Sequence, residues 1–216
     1  MKDFNIKEKT LLVRLDTPAK VQDFLNSLKF NFEERGETLR SPLAVLRSGK
    51  AHCMEGALLA AYALSLHGHK PLILHLKAQK EDYDHVIAPF RLDGRWGAIS
   101  KTNHAVLRYR EPVYKNIREL VMSYFHEYFL NHNGKKTLRQ YSEPFNLKIF
   151  GKDWPVSEKN LWQIDRALDR VKHHRIAPAR SLRRLRSADK VEIKAGAIQE
   201  FSPRRKFNSN KKRYAQ

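Results

Sequence analysis

The sequence predicts an α+β fold in which a central helix that carries the only cysteine packs on a small antiparallel sheet, with additional helices towards the C-terminus. Two observations predict this arrangement. Alanines and leucines recur at helical spacing after Cys53, which is typical of a buried helix. Short apolar segments bounded by turn residues follow that helix, which is typical of strands. A helix and a sheet that each have an apolar face are expected to share one core.

The residues before the cysteine are predicted to form a strand, a helix and a short buried segment. Residues 10–15 are apolar enough for a strand. Thr17 can cap a helix, Pro18 suits its first turn, and apolar residues at helical spacing continue to Leu28. Residues 41–47 are expected to form a short buried approach that holds the loop before the cysteine.

The central helix is predicted to run from Cys53 to His67, with Gly68 ending it and Pro71 preventing it from resuming. A thiol in the first turn of a helix faces unpaired backbone N–H groups and the positive end of the helix dipole. Both stabilise a thiolate, so the sequence predicts a lowered thiol pKa. The alternative is that Cys53 is a small core residue. The polar loop at residues 47–52 favours the reactive position.

Three strands are predicted after the helix, at residues 71–76, 85–92 and 95–100, and a fourth at residues 105–109. Asp93 and Gly94 are a strong hairpin signal, so the second and third strands should be antiparallel. Pro89 lacks a backbone N–H, which favours a bulge or an edge position at that point.

The C-terminal part is predicted to contain two helices and a strand. Apolar residues at helical spacing indicate an amphipathic helix at residues 117–128, and alternation indicates a strand at residues 145–150. Ser157 is expected to cap the second helix, which ends before Pro178.

Charge divides the chain into a domain, residues 1–176, and a basic, flexible C-terminal arm, residues 177–216. The formal net charge of the chain is +19, and the arm alone holds 12 Lys and Arg against 3 Asp and Glu. Such an arm either aids solubility or contacts a polyanion such as RNA, and the sequence leaves both interpretations open.

Composition excludes several classes of protein. The 216 residues, 41% of them apolar, are enough for a real core, and a single cysteine fits a reducing compartment without an intrachain disulfide. The sequence shows neither a signal-peptide apolar region nor a long apolar run, so we expect a cytoplasmic protein that does not enter a membrane. The spacing of Cys53 to His67, His69 and His75 does not suit zinc, and we predict neither a metal nor a cofactor.

His85 is the candidate partner of Cys53, because it opens a predicted strand that could lie against the start of the central helix. In a Cys–His pair the imidazole accepts the thiol proton and later returns it to the leaving group. A third polar group normally orients the imidazole. Ser100, across the predicted hairpin, and Asn103 are the candidates for that role, so the predicted catalytic set is Cys53, His85, Ser100 and Asn103.

Three pieces of the sequence, in this order, resemble the transglutaminase-like, papain-related superfamily. They are CMEGA at 53–57, DHV at 84–86 and GRWGAIS at 94–100. The resemblance covers roughly residues 40–110, and it implies an α+β fold with Cys53 as the nucleophile and His85 as the base.

The resemblance has one departure, because the third residue of the family is usually an aspartate and this sequence has Ser100 at the matching place. A serine supplies no charge to stabilise an imidazolium, which implies a large loss of rate. Asn103 could orient the ring through its side-chain carbonyl, as an asparagine does in papain-like enzymes, but it lies three residues from the matching position.

The sequence leaves three functions open. A thiol enzyme would perform acyl transfer or hydrolysis at an amide of a protein or peptide through a Cys53 thioester, with the Cys53 backbone N–H as one oxyanion donor. A catalytically weak or inactive binding module would keep the same fold. The serine at position 100 in place of an aspartate favours this function. A polyanion-binding protein would bind RNA through the basic arm, although the sequence contains no RNA-binding motif.

Overall fold

The computed structural model describes residues 3–202, which form an α+β fold. The α-helices of this part are α1 (Ile6–Arg14), α2 (Pro18–Ser27), α3 (Pro42–Ser48), α4 (Cys53–Ser65), α5 (Ile117–Phe125), α6 (Trp162–Arg170), α7 (Ala179–Leu182) and α8 (Lys190–Gly196). The strands are β1 (Lys29–Phe30), β2 (Lys50–Ala51), β3 (Leu72–Ala78), β4 (His85–Leu92), β5 (Arg95–Ile99), β6 (Arg110–Tyr114), β7 (Leu138–Ser142), β8 (Phe145–Asn146) and β9 (His173–Arg175). In the described part of the chain, no helix is long and apolar enough to cross a membrane.

The main sheet has the strand order β6-β5-β4-β3-β7-β9, with β8 also paired to β3, and its pairings are antiparallel. β1 and β2 form a separate parallel pair, and β2 lies just before α4 in the chain. The pairing of β3 with β4 extends only as far as Leu74 opposite Ile87, whereas Pro89 lies opposite Ala98 of β5. Pro89 therefore lies where β4 has a partner on one side, in agreement with the predicted edge position.

The sheet separates two hydrophobic cores. α4 is buried from Cys53 to Leu64 and packs on one face, where Val86, Ala88 and Phe90 of β4 meet it. The alternate residues of the sheet point to the other face, where α5 covers them. A helix that is apolar on all sides fits only inside a protein, so the position of α4 between α2, α3 and the sheet follows from its sequence.

The structure corrects one prediction before the cysteine and confirms two others. Residues 10–15, predicted as a strand, lie in and just after α1, because Asn5 and Glu8 form a capping box that starts a helix upstream. The short buried segment predicted at residues 41–47 is α3 with its N-cap Ser41, and Pro42, Leu43 and Val45 are buried. The helix predicted after Thr17 is confirmed as α2.

Three predictions after the hairpin are also corrected. The fourth strand is β6 rather than residues 105–109, because Ala105 donates its N–H to Ile198 instead of a neighbouring strand. The strand predicted at 145–150 shortens to β8 and a 3₁₀ turn, Leu147–Phe150. Ser157 bonds locally to Lys159, so α6 begins later than predicted.

Residues 177–202 pack on the domain, which differs from the prediction of a flexible arm that begins at residue 177. The backbone N–H of Ala188 donates to Gly134 with an N···O distance of 2.8 Å. Gly134 has φ +72°, and a Cβ there would stand 2.8 Å from the Ala188 carbonyl oxygen, so the contact requires glycine. The remainder of the predicted arm, residues 203–216, lies outside the described residues.

Gly56 gives a test of how tightly α4 is packed. A Cβ at Gly56 would stand 2.5 Å from the Cβ of Lys101, and Lys101 is fixed by hydrogen bonds from Nζ to the carbonyls of Leu25 and Leu28. We expect Gly56→Ala to lower the free energy of unfolding by about 1–3 kcal/mol through overpacking. Urea denaturation measures it. Helix propensity alone predicts a gain of about 1 kcal/mol, and that result would contradict the close contact.

Candidate active site

Cys53 is the first residue of α4, and its thiol is fully buried. The sulphur interacts with the backbone N–H groups of Met54 and Val86. Val86 is the second residue of β4, so the contact brings the start of the helix against the start of the strand that His85 opens. The sequence predicted this juxtaposition of helix and strand.

The protonation state of Cys53 differs from the prediction of a thiolate. Burial raises the pKa of the thiol to about 12, although the N–H groups of Val86 and Met54 act in the opposite direction. The first turn of the helix therefore does stabilise the anion, but the loss of hydration outweighs that effect. At neutral pH the group is a thiol.

His85 is also fully buried, and its two ring nitrogens have different surroundings. Nε2 lies 2.8 Å from the hydroxyl oxygen of Ser100. Nδ1 is buried and has no hydrogen-bond partner. Burial lowers the pKa of His85 to about 3, so the imidazole is neutral at pH 7.

Ser100 determines which nitrogen of His85 carries the proton. The Ser100 hydroxyl donates its only hydrogen to the carbonyl of Leu107, at an O···O distance of 2.5 Å. The hydroxyl oxygen must therefore accept from His85, so Nε2 carries the hydrogen and Nδ1 presents its lone pair. An imidazole in this tautomer is set to accept a proton at Nδ1.

Leu107 takes part in this arrangement through its backbone, and the sequence analysis missed it. Its φ of +59° is unusual for a residue other than glycine. The Leu107 N–H donates to Glu127 at 2.8 Å, and Glu127 pairs with Arg110 at 2.6 Å. The position of the Leu107 carbonyl depends on Glu127 and Arg110, which the sequence near Ser100 does not contain. No local pattern could therefore have predicted it.

Gln22 of α2 fixes the backbone of Ser100, although it lies outside residues 40–110, which carry the family resemblance. Its side-chain nitrogen donates to the Ser100 carbonyl and its side-chain oxygen accepts from the Ser100 N–H, both at 2.9 Å. Gln22 is buried, so this pair of hydrogen bonds is protected from water. The position of Ser100 is thus held by α2 as well as by β5.

Asn103 has a different partner from the one considered in the sequence analysis. Its side chain donates to the carbonyl of Phe201 at 2.8 Å and accepts from the N–H of Phe201 at 2.9 Å. Residues 196–202, here called the strap, lie along the loop after Ser100 through this pair and through Ala105. In the structure, Ser100 contacts His85, whereas Asn103 contacts the strap.

A cleft of about 710 Å³ lies beside the first turn of α4. It is lined by the loop at residues 29–40, by Lys50, and by Phe201 and Ser202 at the end of the strap. Neither Cys53 nor His85 is among its lining residues. The strap thus forms one wall of the cleft, and the two candidate catalytic groups are buried outside its lining.

Glu55, two residues after the cysteine, anchors the wall of the cleft. Its carboxylate accepts from Asn31 at 2.9 Å, from the Thr38 hydroxyl at 2.8 Å and from the Arg40 N–H at 3.1 Å. Burial opposes its ionisation, but His52 and these hydrogen bonds outweigh burial and hold the pKa of Glu55 below its usual range. The role of this residue was not predicted.

His75, another buried histidine, belongs to a separate hydrogen-bonded chain. The Nε2 atom of His75 lies 2.9 Å from a carboxylate oxygen of Asp84, and its Nδ1 atom lies 3.1 Å from Nε2 of His173. These hydrogen bonds tie β3 to the loop before β4 and to β9. Among residues 3–202 there is no group of three His, Cys, Asp or Glu side chains placed to hold a metal ion.

A comparison of the sequence with protein-family models gives no match, and a search of curated proteins gives none either. A functional assignment therefore depends on the chemistry of the Cys53, His85 and Ser100 group.

The low pKa of His85 makes stability depend on pH. Between pH 6.5 and about 3, the unfolded chain binds a proton at this imidazole that the folded chain excludes, so acidification favours unfolding. We expect this residue alone to lower the free energy of unfolding by about 2 kcal/mol from pH 6.5 to pH 5. From pH 6.5 to pH 5, the free energy of unfolding measured with urea should decrease less for His85→Gln than for the wild type. The exposed His126→Gln is the control, and equal decreases in all three proteins would contradict the buried neutral imidazole.

Ser100→Asp tests the contact that orients His85. A carboxylate at this position would accept from Nε2–H and favour the imidazolium, so the pKa of His85 should rise from about 3 towards its ordinary value of 6.5. The same carboxylate would face the Leu107 carbonyl, and we expect a loss of about 1–3 kcal/mol in stability. NMR titration of the imidazole measures the pKa. An unchanged value would show that residue 100 does not contact the ring.

Proposed function

We propose that this protein is a thiol enzyme of the transglutaminase-like kind, which transfers or hydrolyses an acyl group at an amide through a thioester on Cys53. The observation that carries the proposal is the Nδ1 atom of His85, which is buried without a partner while Nε2 is held by Ser100. A buried nitrogen in native proteins usually has a partner, and a free lone pair beside the segment that the thiol contacts fits a base.

The reaction begins when Nδ1 of His85 accepts the thiol proton as the sulphur forms a bond to the amide carbonyl carbon. The carbonyl oxygen becomes an oxyanion, and the backbone N–H of Cys53 is the proposed donor to it. Collapse of the oxyanion breaks the C–N bond, and the amine leaves with the proton from Nδ1. Water or a second amine then attacks the thioester and gives a proton to Nδ1, which returns it to the departing sulphur.

The resemblance to the transglutaminase-like, papain-related superfamily agrees with this proposal in the order and the neighbourhood of its residues. The cysteine opens a buried helix, the histidine opens a strand of an antiparallel sheet, and the polar residue that follows the next strand contacts that histidine. A papain-like fold is therefore part of the proposal. Ser100 orients the ring without a negative charge, so we expect slower chemistry than a carboxylate would allow.

Access of a substrate requires that the site open. The resting pair is uncharged because burial raises the pKa of Cys53 and lowers that of His85. The cleft beside α4 has the volume of a ligand site and is the proposed route for a protein or peptide substrate. Movement of the strap or of the loop at residues 29–40 would hydrate the pair and weaken both pKa shifts.

A catalytically weak binding module of the same fold is the second candidate. The full burial of the pair and the serine in place of an acid favour it. The two candidates differ in whether His85 acts on the thiol proton, because a binding module has no use for that transfer.

Alkylation of Cys53 distinguishes the two candidates. The full chain is treated with iodoacetamide under native conditions, and the mass of the intact protein is followed with time. If His85 accepts the thiol proton, His85→Ala should slow the modification about tenfold or more, since a general base contributes about 10²–10⁴.

The control is His75→Ala, which removes a second fully buried histidine that the proposed mechanism does not use. Thermal midpoints of all variants separate local opening from modification through global unfolding. Equal rates in the wild type and His85→Ala would show that His85 does not act on the thiol proton, as expected of the binding module. A thiol that reacts only after denaturation would show that Cys53 is a core residue.

A further inference from the structure

A second cavity, of about 450 Å³, is formed by residues around β7 and α7. None of Cys53, His85 and Ser100 lines it. Its lining contains four cations and no acidic side chain. The four cations are Lys135, Lys136, Arg139 and Arg183. A concave surface with one sign of charge concentrates ions of the opposite sign.

Three of these cations, Lys135, Arg139 and Arg183, form no ion pair within residues 3–202. The Arg139 guanidinium donates only to neutral oxygens, which are the carbonyls of Leu138 and Lys136 and the side chain of Gln79. Lys135 and Arg183 are exposed and form no ion pair in this part of the chain. Burial lowers the pKa of Arg139, although the charge of Glu81 acts in the opposite direction.

Lys136 differs from the other three, because its ammonium group donates to the His126 carbonyl at 2.5 Å and pairs with Glu192 at 3.5 Å. It therefore contributes to the structure of the wall, whereas the remaining cations are available to a ligand.

Gln79 places a side-chain amide in the lining of this cavity. Its Oε1 accepts from Arg139 at 2.7 Å, which fixes the orientation of the amide. The Nε2 atom is then a donor, and it is buried without a hydrogen-bond partner. Buried polar groups in native proteins are usually hydrogen-bonded, so this donor has unused hydrogen-bonding capacity.

We propose that this cavity binds a phosphate group, and that the backbone of RNA is the polyanion that presents it. Phosphate oxygens accept hydrogen bonds from amides and guanidinium groups and favour a cationic site, which matches Gln79, Arg139, Lys135 and Arg183. The site is separate from the thiol chemistry and does not depend on residues 203–216.

The positive surface beside the cavity favours a polymer over a free phosphate ion. Arg180 and Arg184 are exposed on and after α7 beside the cavity lining, so the positive surface continues beyond one phosphate. A longer polyanion would release more counterions there. The cavity lining has no aromatic side chain for stacking on a base, so the contact should be to the backbone and should show little sequence preference.

The test uses Gln79→Glu in the full chain. This substitution keeps the oxygen that accepts from Arg139, so the wall should remain folded, and it replaces the unpartnered donor with an anionic oxygen that repels phosphate. Fluorescence anisotropy with a labelled single-stranded RNA should show affinity reduced about tenfold. The slope of log affinity against log salt between about 50 and 200 mM should become smaller by about one. The control is Gln163→Glu, an equal change at an exposed position of α6, which should bind within about twofold of the wild type.

Two further measurements identify the source of the phosphate. Inorganic phosphate should raise the thermal midpoint of the wild type and not of Gln79→Glu, and this result without an effect on RNA binding would assign the site to a free phosphate. A triple variant, Arg204→Gln, Arg205→Gln and Lys206→Gln, removes charge from the C-terminal sequence instead. If only the triple variant loses RNA affinity, or if Gln79→Glu matches Gln163→Glu in both assays, the proposal is overturned.

Discussion

The hydrogen bond between His85 and Ser100 determines what the candidate site can do. The Ser100 hydroxyl has one hydrogen, and the Leu107 carbonyl takes it, so His85 must donate from Nε2 and keep a lone pair on Nδ1. Four parts of the chain converge on this proton: β4, the end of β5, the turn at Leu107, and Gln22 of α2. The tautomer of one imidazole thus depends on the packing of helix, sheet and loop together.

Burial has two opposing effects at this site. It protects the hydrogen bonds that order His85, and it removes the hydration that a thiolate and an imidazolium would need. A serine suits such an enclosed position better than an aspartate, because a carboxylate there would face the Leu107 carbonyl without water. The same enclosure explains why the pair is uncharged in the closed state and why the proposed chemistry requires opening of the cleft.

Residues 177–202 contribute to two surfaces of the domain. α7 completes the cationic cavity, and the strap lies along the loop after Ser100 through Asn103. A domain boundary at residue 176 would remove both contributions. One cation of this part of the chain, Arg183, lines that cavity together with Lys135, Lys136 and Arg139.

The sequence by itself determined the elements that local patterns specify. α2, α4 and the β4–β5 hairpin were predicted because caps, helical spacing and turn residues act over a few neighbouring positions. The same patterns predicted that His85 and Ser100 would be neighbours across the hairpin. They failed at residues 10–15, where a strand was predicted, because the capping box of Asn5 and Glu8 starts a helix that includes most of this segment.

Only the tertiary structure decided the state of the site. The pKa of Cys53 depends on the hydration lost to every surrounding residue, and no local pattern around a cysteine contains that sum. The roles of Leu107, Glu127 and Gln22 depend on contacts between residues far apart in the chain. Sequence patterns report which residues are near in the chain, whereas desolvation and hydrogen bonding depend on which are near in space.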